Sequence, residues 1–131
     1  MVLTVCVGLM GVTAAEDAEE GKQWVVPTRD AKKSNPVPGD DQSRAAGRQL
    51  YARECVDCHG ERGKGDGPGA RDLSERPPDL ASEAVQKQTD GALFYKVTRG
   101  RGEMPAYRKM LKEDERWHLV NYMRTLGRGD H

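Results

Sequence analysis

The hydrophobic pattern changes character several times along the chain. Met1 to Val12 is almost continuously apolar and uncharged. Glu16 to Gln42 then opens acidic and holds Pro27, Pro36, Pro38 and Gly39, with Trp24-Val25-Val26 as its apolar cluster. Neither a helical nor a strand period persists there, which predicts an extended arm. From Ser43, the expected N-cap, Gly47, Leu50, Tyr51, Glu54 and Cys55 fall at helical i, i+3, i+4 spacing. A glycine inside a helix costs about 1 kcal/mol relative to alanine, so Gly47 asks for a packing reason.

A second helix is predicted after Thr89 or Asp90, carrying Leu93, Phe94 and Val97 and stopping at Gly100. A third covers about Glu113 to Leu126, with Glu113, Asp114 and Glu115 suited to the positive end of the helix dipole. Lys112 stands where Ser or Thr would cap, so that end is expected to fray. Leu119, Tyr122, Met123 and Leu126 form one face; His118, Asn121 and Thr125 lie opposite, and Trp117 is expected half-buried between them. Arg76-Pro77-Pro78-Asp79-Leu80 reads as rigid and extended. The glycine-rich run 60–69 is no phosphate loop, because Gly63-Lys64 is followed by Gly65 and no strand precedes it. It is expected to be a surface loop needing positive φ at several positions. The fold class is therefore all-α, in three segments: 1–15, the arm 16–42, and a helical domain 43–131.

Composition sharpens this picture. A chain of 131 residues suits one small domain, yet 32% of it is charged and it holds a single Phe. A core built from these side chains alone would be marginal. The 21 basic and 21 acidic residues cancel, and nothing points to nucleic acid. The N-terminal apolar run is shorter than the ~20 residues that span a bilayer. It resembles the centre of a secretory signal, with Ala14 and Ala15 suited to cleavage and Cys6 an ordinary member of that segment. Export follows as an expectation, to the periplasm or the outer face of the cytoplasmic membrane. Membrane association would come only through a partner or an uncleaved N-terminus.

The chemistry-bearing stretch is Cys55-Val56-Asp57-Cys58-His59, the Cys-x-x-Cys-His pattern of covalent haem attachment. Two thiols at this spacing can form thioethers with the two vinyl groups of one porphyrin, and His59 then lies under the iron as an axial ligand. A structural zinc site would want a second ligand pair, and a thioredoxin-like site a βαβ setting; neither is present in the sequence. A second axial ligand could come from Met104, Met110, Met123, His118 or His131. Met123 reads as core, His118 as solvated, His131 as a frayed end, and Met110 leads straight into the last helix. Met104 sits in a loop stiffened by Pro105 and is the preferred candidate.

In the order helix, Cys55-x-x-Cys58-His59, glycine-rich loop, Pro77-Pro78-Asp79-Leu80, short helix, Met104-Pro105, final helix, the stretch from Ser43 to Gly127 resembles a monohaem class I cytochrome c. The resemblance implies a small helical domain wrapped around one covalently attached haem c, with iron held by His59 and Met104. It implies that the first and last helices cross, bringing Gly47 and Tyr51 against Leu119 and Tyr122. It also implies that the carbonyl of Pro78 accepts the ring N–H of His59. Asp90 to Tyr95 and Glu115 to Val120 are similar to haem subunits of bacterial respiratory complexes. The function expected is one-electron transfer to redox proteins rather than catalysis. Acidic partner surfaces would dock on the basic residues around the Met104 loop, Lys96, Arg99, Arg101, Arg108, Lys109 and Lys112. The alternatives are a haem enzyme or gas-binding protein with an open sixth site, and a cytochrome subunit of a larger respiratory or dehydrogenase complex.

Overall fold

The computed structural model describes residues 23–129; the segment expected to be a secretory signal, the acidic start of the arm and His131 lie outside the described residues. The order of elements is α1 (Thr28–Ala31), α2 (Asp41–Glu54), α3 (Val56–His59), a 3-10 turn (Pro68–Asp72), α4 (Glu83–Gln86), α5 (Asp90–Arg99) and α6 (Glu113–Leu126). Among the described residues the sole β feature is an isolated antiparallel bridge between Arg101 and Met104. The fold is all-α, as the periodicities predict.

The three long helices fall where the pattern places them, with corrections at their ends. Helix α2 is capped by Asp40, whose carboxylate accepts from the N–H of Ser43 at 2.8 Å. Ser43 is thus not the cap but a buried residue inside the helix. Thr89 caps α5 by accepting from Ala92 at 3.1 Å, and Gly100 ends that helix at φ +59°. At the start of α6 the lysine ammonium of Lys112 cannot accept a hydrogen bond. Glu115 instead reaches back to the Lys112 N–H at 2.7 Å, half of a capping box, which secures the end expected to fray.

Helices α2 and α6 cross at Gly47. A Cβ built there would lie 2.1 Å from the carbonyl oxygen of His118 and 2.8 Å from the Cβ of Tyr122. The partner backbone occupies the space that any side chain would need, which is the packing reason for this glycine. Tyr51 meets Tyr122 as expected, with ring centroids 5.1 Å apart. Trp117 is buried rather than half-buried, stacked on Phe94 of α5 at 3.8 Å.

The second correction concerns the polar side of α6. Asn121 and Thr125 are buried, and His118 is half-buried with its Nδ1 2.8 Å from the Ser43 hydroxyl. The arm covers this side. Asn121 donates to the carbonyls of Val37 and Pro38, both at 3.2 Å, and accepts from Asn35 at 2.7 Å. Further up, Thr89 donates to the carbonyl of Ala31 at 2.6 Å, and a Cβ at Gly91 would lie 2.3 Å from the carbonyl oxygen of Asp30. The described part of the arm is therefore docked on the domain and contains the turn of α1, where no regular structure was expected.

Replacing Gly47 with alanine sets a helix-propensity gain of about 1 kcal/mol against a clash with backbone that cannot step aside. Overpacking of this kind costs about 1–3 kcal/mol, so Gly47→Ala is expected to lower the urea midpoint of the holoprotein; a raised midpoint would contradict the crossing.

Candidate functional site

Helix α2 gives way to α3 at Cys55, whose N–H still bonds to the carbonyl of Tyr51 at 2.9 Å. The carbonyl of Cys55 in turn accepts from Cys58 at 3.3 Å and from His59 at 2.8 Å. This one tight turn places Cys55, Cys58 and His59 close together, and the two cysteines are free thiols, both half-buried. Burial raises the Cys55 thiol to about 12, so it stays protonated at neutral pH. Among the described residues no group of three His, Cys, Asp or Glu side chains is placed to hold a metal ion.

His59 ends the turn. Burial lowers its pKa, favouring the neutral imidazole that can coordinate iron. Its Nδ1 is buried and has no hydrogen-bond partner among the described residues. The carbonyl of Pro78 is therefore not an acceptor of this nitrogen here, and Pro78 itself is exposed. A buried, orphaned ring nitrogen beside two half-buried thiols fits a haem ligand whose surroundings are completed by a bound group.

The glycine-rich run is not a free surface loop but the support beneath this turn. Gly60, Gly63 and Gly65 have positive φ, near 79°, 73° and 73°, and all three are buried together with Gly67. A Cβ at Gly67 would lie 2.2 Å from the carbonyl oxygen of Asp57, and one at Gly65 2.1 Å from that of Pro77. Glycine lets the loop lie flat between α3 and the Pro77-Pro78 segment. The N–H of Gly65 bonds to the His59 carbonyl at 2.8 Å, and that of Leu80 to the Gly63 carbonyl at 2.8 Å. The buried Tyr51 hydroxyl adds a bond to the Gly60 carbonyl at 2.7 Å.

Met104 is half-buried and packs against the same hydrophobic core as Cys55 and Val56. It closes a four-residue turn in which Arg101 and Met104 exchange backbone hydrogen bonds of 3.1 and 3.0 Å. Two ties that the sequence gives no hint of hold this turn toward the Cys55 side. Tyr107 donates its hydroxyl to the carbonyl of Glu54 at 2.8 Å, and Glu103 accepts from both the N–H and the hydroxyl of Ser74, at 2.9 and 2.8 Å. Burial pushes the Tyr107 hydroxyl up to about 12, so it remains a donor. Met110, by contrast, is 59% exposed and Met123 lies in the core. Of the alternative ligands, His118 is engaged with Ser43.

A helical domain with a Cys-x-x-Cys-His turn and a methionine loop packed on one core is that of a c-type cytochrome. Residues 42–123 match the family model of cytochrome c oxidase, cbb3-type, subunit III, and the chain belongs to that family. It is 32% identical over 106 residues to the cbb3-type cytochrome c oxidase subunit FixP of Azorhizobium caulinodans, covering 73% of this chain but 31% of FixP. It is 35% identical over 79 residues to cytochrome c6 of Leptolyngbya boryana, covering 60% of this chain and 87% of that protein. Among solved structures, a chain of the Kuenenia stuttgartiensis reducing HAO-like protein complex superposes with a TM-score of 0.62 at 30% identity, over 70% of this chain and 46% of that one. Cytochrome CL of Methylophaga aminisulfidivorans superposes with a TM-score of 0.53 at 26% identity, over 70% and 57%. The chain thus spans about a third of the length of FixP.

Tyr107→Phe removes one hydrogen bond and leaves the Glu54 carbonyl to find another partner. Its cost is expected at about 0.5–1.5 kcal/mol in denaturant unfolding. An unchanged midpoint would mean that the bond contributes nothing net.

Proposed function

We propose that the protein transfers single electrons through one haem c, attached to Cys55 and Cys58 and ligated by His59 and Met104, as a cytochrome subunit of a larger respiratory complex. When bound, the haem supplies a ferrous–ferric couple, whose potential a thioether ligand raises relative to a second imidazole. The observation that carries the reading is the orphaned Nδ1 of His59 in the Cys55–Cys58 turn, with the Met104 turn packed on the same core. With both axial positions filled in this way, the iron would have no open site for a substrate. Family membership and the likeness to FixP favour the subunit over a free carrier. Export is part of the proposal, because haem ligation to this motif in c-type cytochromes occurs outside the cytoplasmic membrane.

The test begins with denatured protein on a gel, which is expected to retain haem-linked peroxidase staining; haem removed completely by acid–acetone would refute covalent attachment. Met104→Ala is expected to open the sixth site to imidazole or cyanide and to lower the potential, with Met110→Ala doing neither. The opposite pattern would assign the ligand to Met110.

The basic residues from the last turn of α5 onward divide in the structure. Lys96 and Arg101 face the ring of Trp24. Arg99 and Arg108 line a cleft of about 330 Å³ together with Arg29, Lys33 and Arg116, against Asp30 and Glu113. We place acidic partner docking there. Steered association weakens with salt, so Arg99→Glu with Arg108→Glu is expected to slow electron exchange with a native partner at low ionic strength and to flatten its salt dependence, with the haem spectrum unchanged. A wild-type rate that is flat with salt would rule out charge steering.

A further inference from the structure

The turn that carries Met104 is poorly held by its own backbone. It is entered through Gly100 at φ +59° and contains Gly102 at φ +56°, and a Cβ at Gly102 would meet nothing within 4 Å. Glycine adds backbone freedom, and two backbone hydrogen bonds between Arg101 and Met104 close the turn. From outside, Ser74 holds Glu103 in the middle of the turn, and the arm holds its Arg101 end. The Cζ of Arg101 lies 5.0 Å from the centre of the Trp24 ring, and the Nζ of Lys96 lies 5.4 Å from it. Both distances are within cation–π range. Lys96 is also fixed by donating to Gln88 at 2.6 Å, so one of the two cations over the ring belongs to the body of α5 and the other to the turn.

The two cations repel each other, and the electron-rich face of the indole offsets that repulsion. Trp24 therefore joins the Arg101 end of the Met104 turn to α5. The arm can do this because it is itself seated. Gly91 opens α5 with no side chain, and the arm backbone runs through the space a Cβ would take. Thr89 and Asn121 bind arm carbonyls at Ala31, Val37 and Pro38. The neighbour of Trp24, Val25, is 74% exposed and takes no part.

We propose that Trp24 is a positioning residue for Met104, acting through Arg101, so that the N-terminal arm belongs to the apparatus that keeps the sixth ligand on the iron. This rests on the proposed His59–Met104 ligation and adds to it a residue outside the matched stretch 42–123.

The experiment uses oxidised holoprotein and two readouts. The first is the rate at which cyanide displaces the sixth ligand, alongside the thioether–iron charge-transfer band. The second is hydrogen exchange at the Met104 amide, compared with the amides of Leu50 and Leu119 in the crossed helices. Trp24→Ala is expected to speed cyanide binding by about fivefold, the scale of one surface cation–π contact. It should speed exchange at Met104 alone. Trp24→Phe, which keeps a weaker aromatic face, is expected to restore part of both effects, and Val25→Ala to match the wild type. A wild-type protein without the thioether band would overturn the ligation and this inference together. A band present in the wild type, with Trp24→Ala indistinguishable from it in both readouts, would overturn this inference alone. Faster exchange at Leu50 and Leu119 as well as Met104 would also overturn it, because the arm would then stabilise the whole domain and not the turn.

Discussion

The contact between the backbones of α2 and α6 at Gly47 sets the distance on which the other contacts depend. With the His118 carbonyl where a Gly47 side chain would be, the two helices are held at backbone contact. The Tyr51 ring is thereby brought onto Tyr122, and its hydroxyl onto the carbonyl of Gly60. That bond fixes the first residue after His59. The crossing also delivers the end of α2, and with it Cys55, to the core that Met104 touches. Separating the helices would displace the attachment turn and the glycine run beneath it together, because close packing transmits such changes.

The polar side of the crossing is organised with equal care. Ser43, His118, Asn121 and Asn35 form one hydrogen-bonded chain between α2, α6 and the arm, with distances of 2.7 to 2.8 Å. Buried polar groups are tolerable when each has a partner, and here the arm supplies them as backbone carbonyls. Arg124 plays the same part at the far end of α6, binding Asp90 at 2.7 Å and the carbonyls of Gln86 and Gln88 at 2.8 and 2.6 Å. The arm and the short helix α4 are thus tied to the domain by side chains from its last helix.

Much of this was legible in the sequence, and the failures share a cause. The three long helices, the Thr89 cap and the Gly100 stop follow from local rules. So does the packing reason for Gly47, whose cost inside a helix signals a neighbour; the expected Tyr122 stands there, together with the His118 backbone. What could not be read was whatever depended on a distant segment. Asn121 and Thr125 look solvent-facing on a helical wheel, and nothing in their local sequence reports that residues 35–38 cover that side. The short α1 and α4 have too few residues to show a period. Pairings such as Ser74 with Glu103 or Tyr107 with Glu54 link residues 29 and 53 positions apart. The Cys55-x-x-Cys58-His59 turn was legible because its residues are contiguous. That the His59 Nδ1 stands without an acceptor among the described residues was not, because it depends on how the Pro77-Pro78 segment lies against Gly65.

The site and the core are two views of one shortage. The buried hydrophobic residues gather around the α2–α6 crossing and its contact with α5, where Phe94 stacks on Trp117. Toward the attachment turn that density falls away. Cys55, Val56, Cys58, His59 and Met104 are all half-buried, yet burial still raises the Cys55 thiol and lowers the His59 imidazole. The Cys55 thiol and the His59 imidazole therefore lie in a low-dielectric setting, and the His59 Nδ1 has no polar partner there among the described residues. A solvated surface would have left them unshifted, and a self-sufficient core would have given the His59 Nδ1 an acceptor. The proposed haem, joined through the two thiols, would add the packing surface that a chain with a single Phe lacks. The glycines beneath the turn and the ties on the Met104 loop then hold in place the two segments that would carry the proposed ligands.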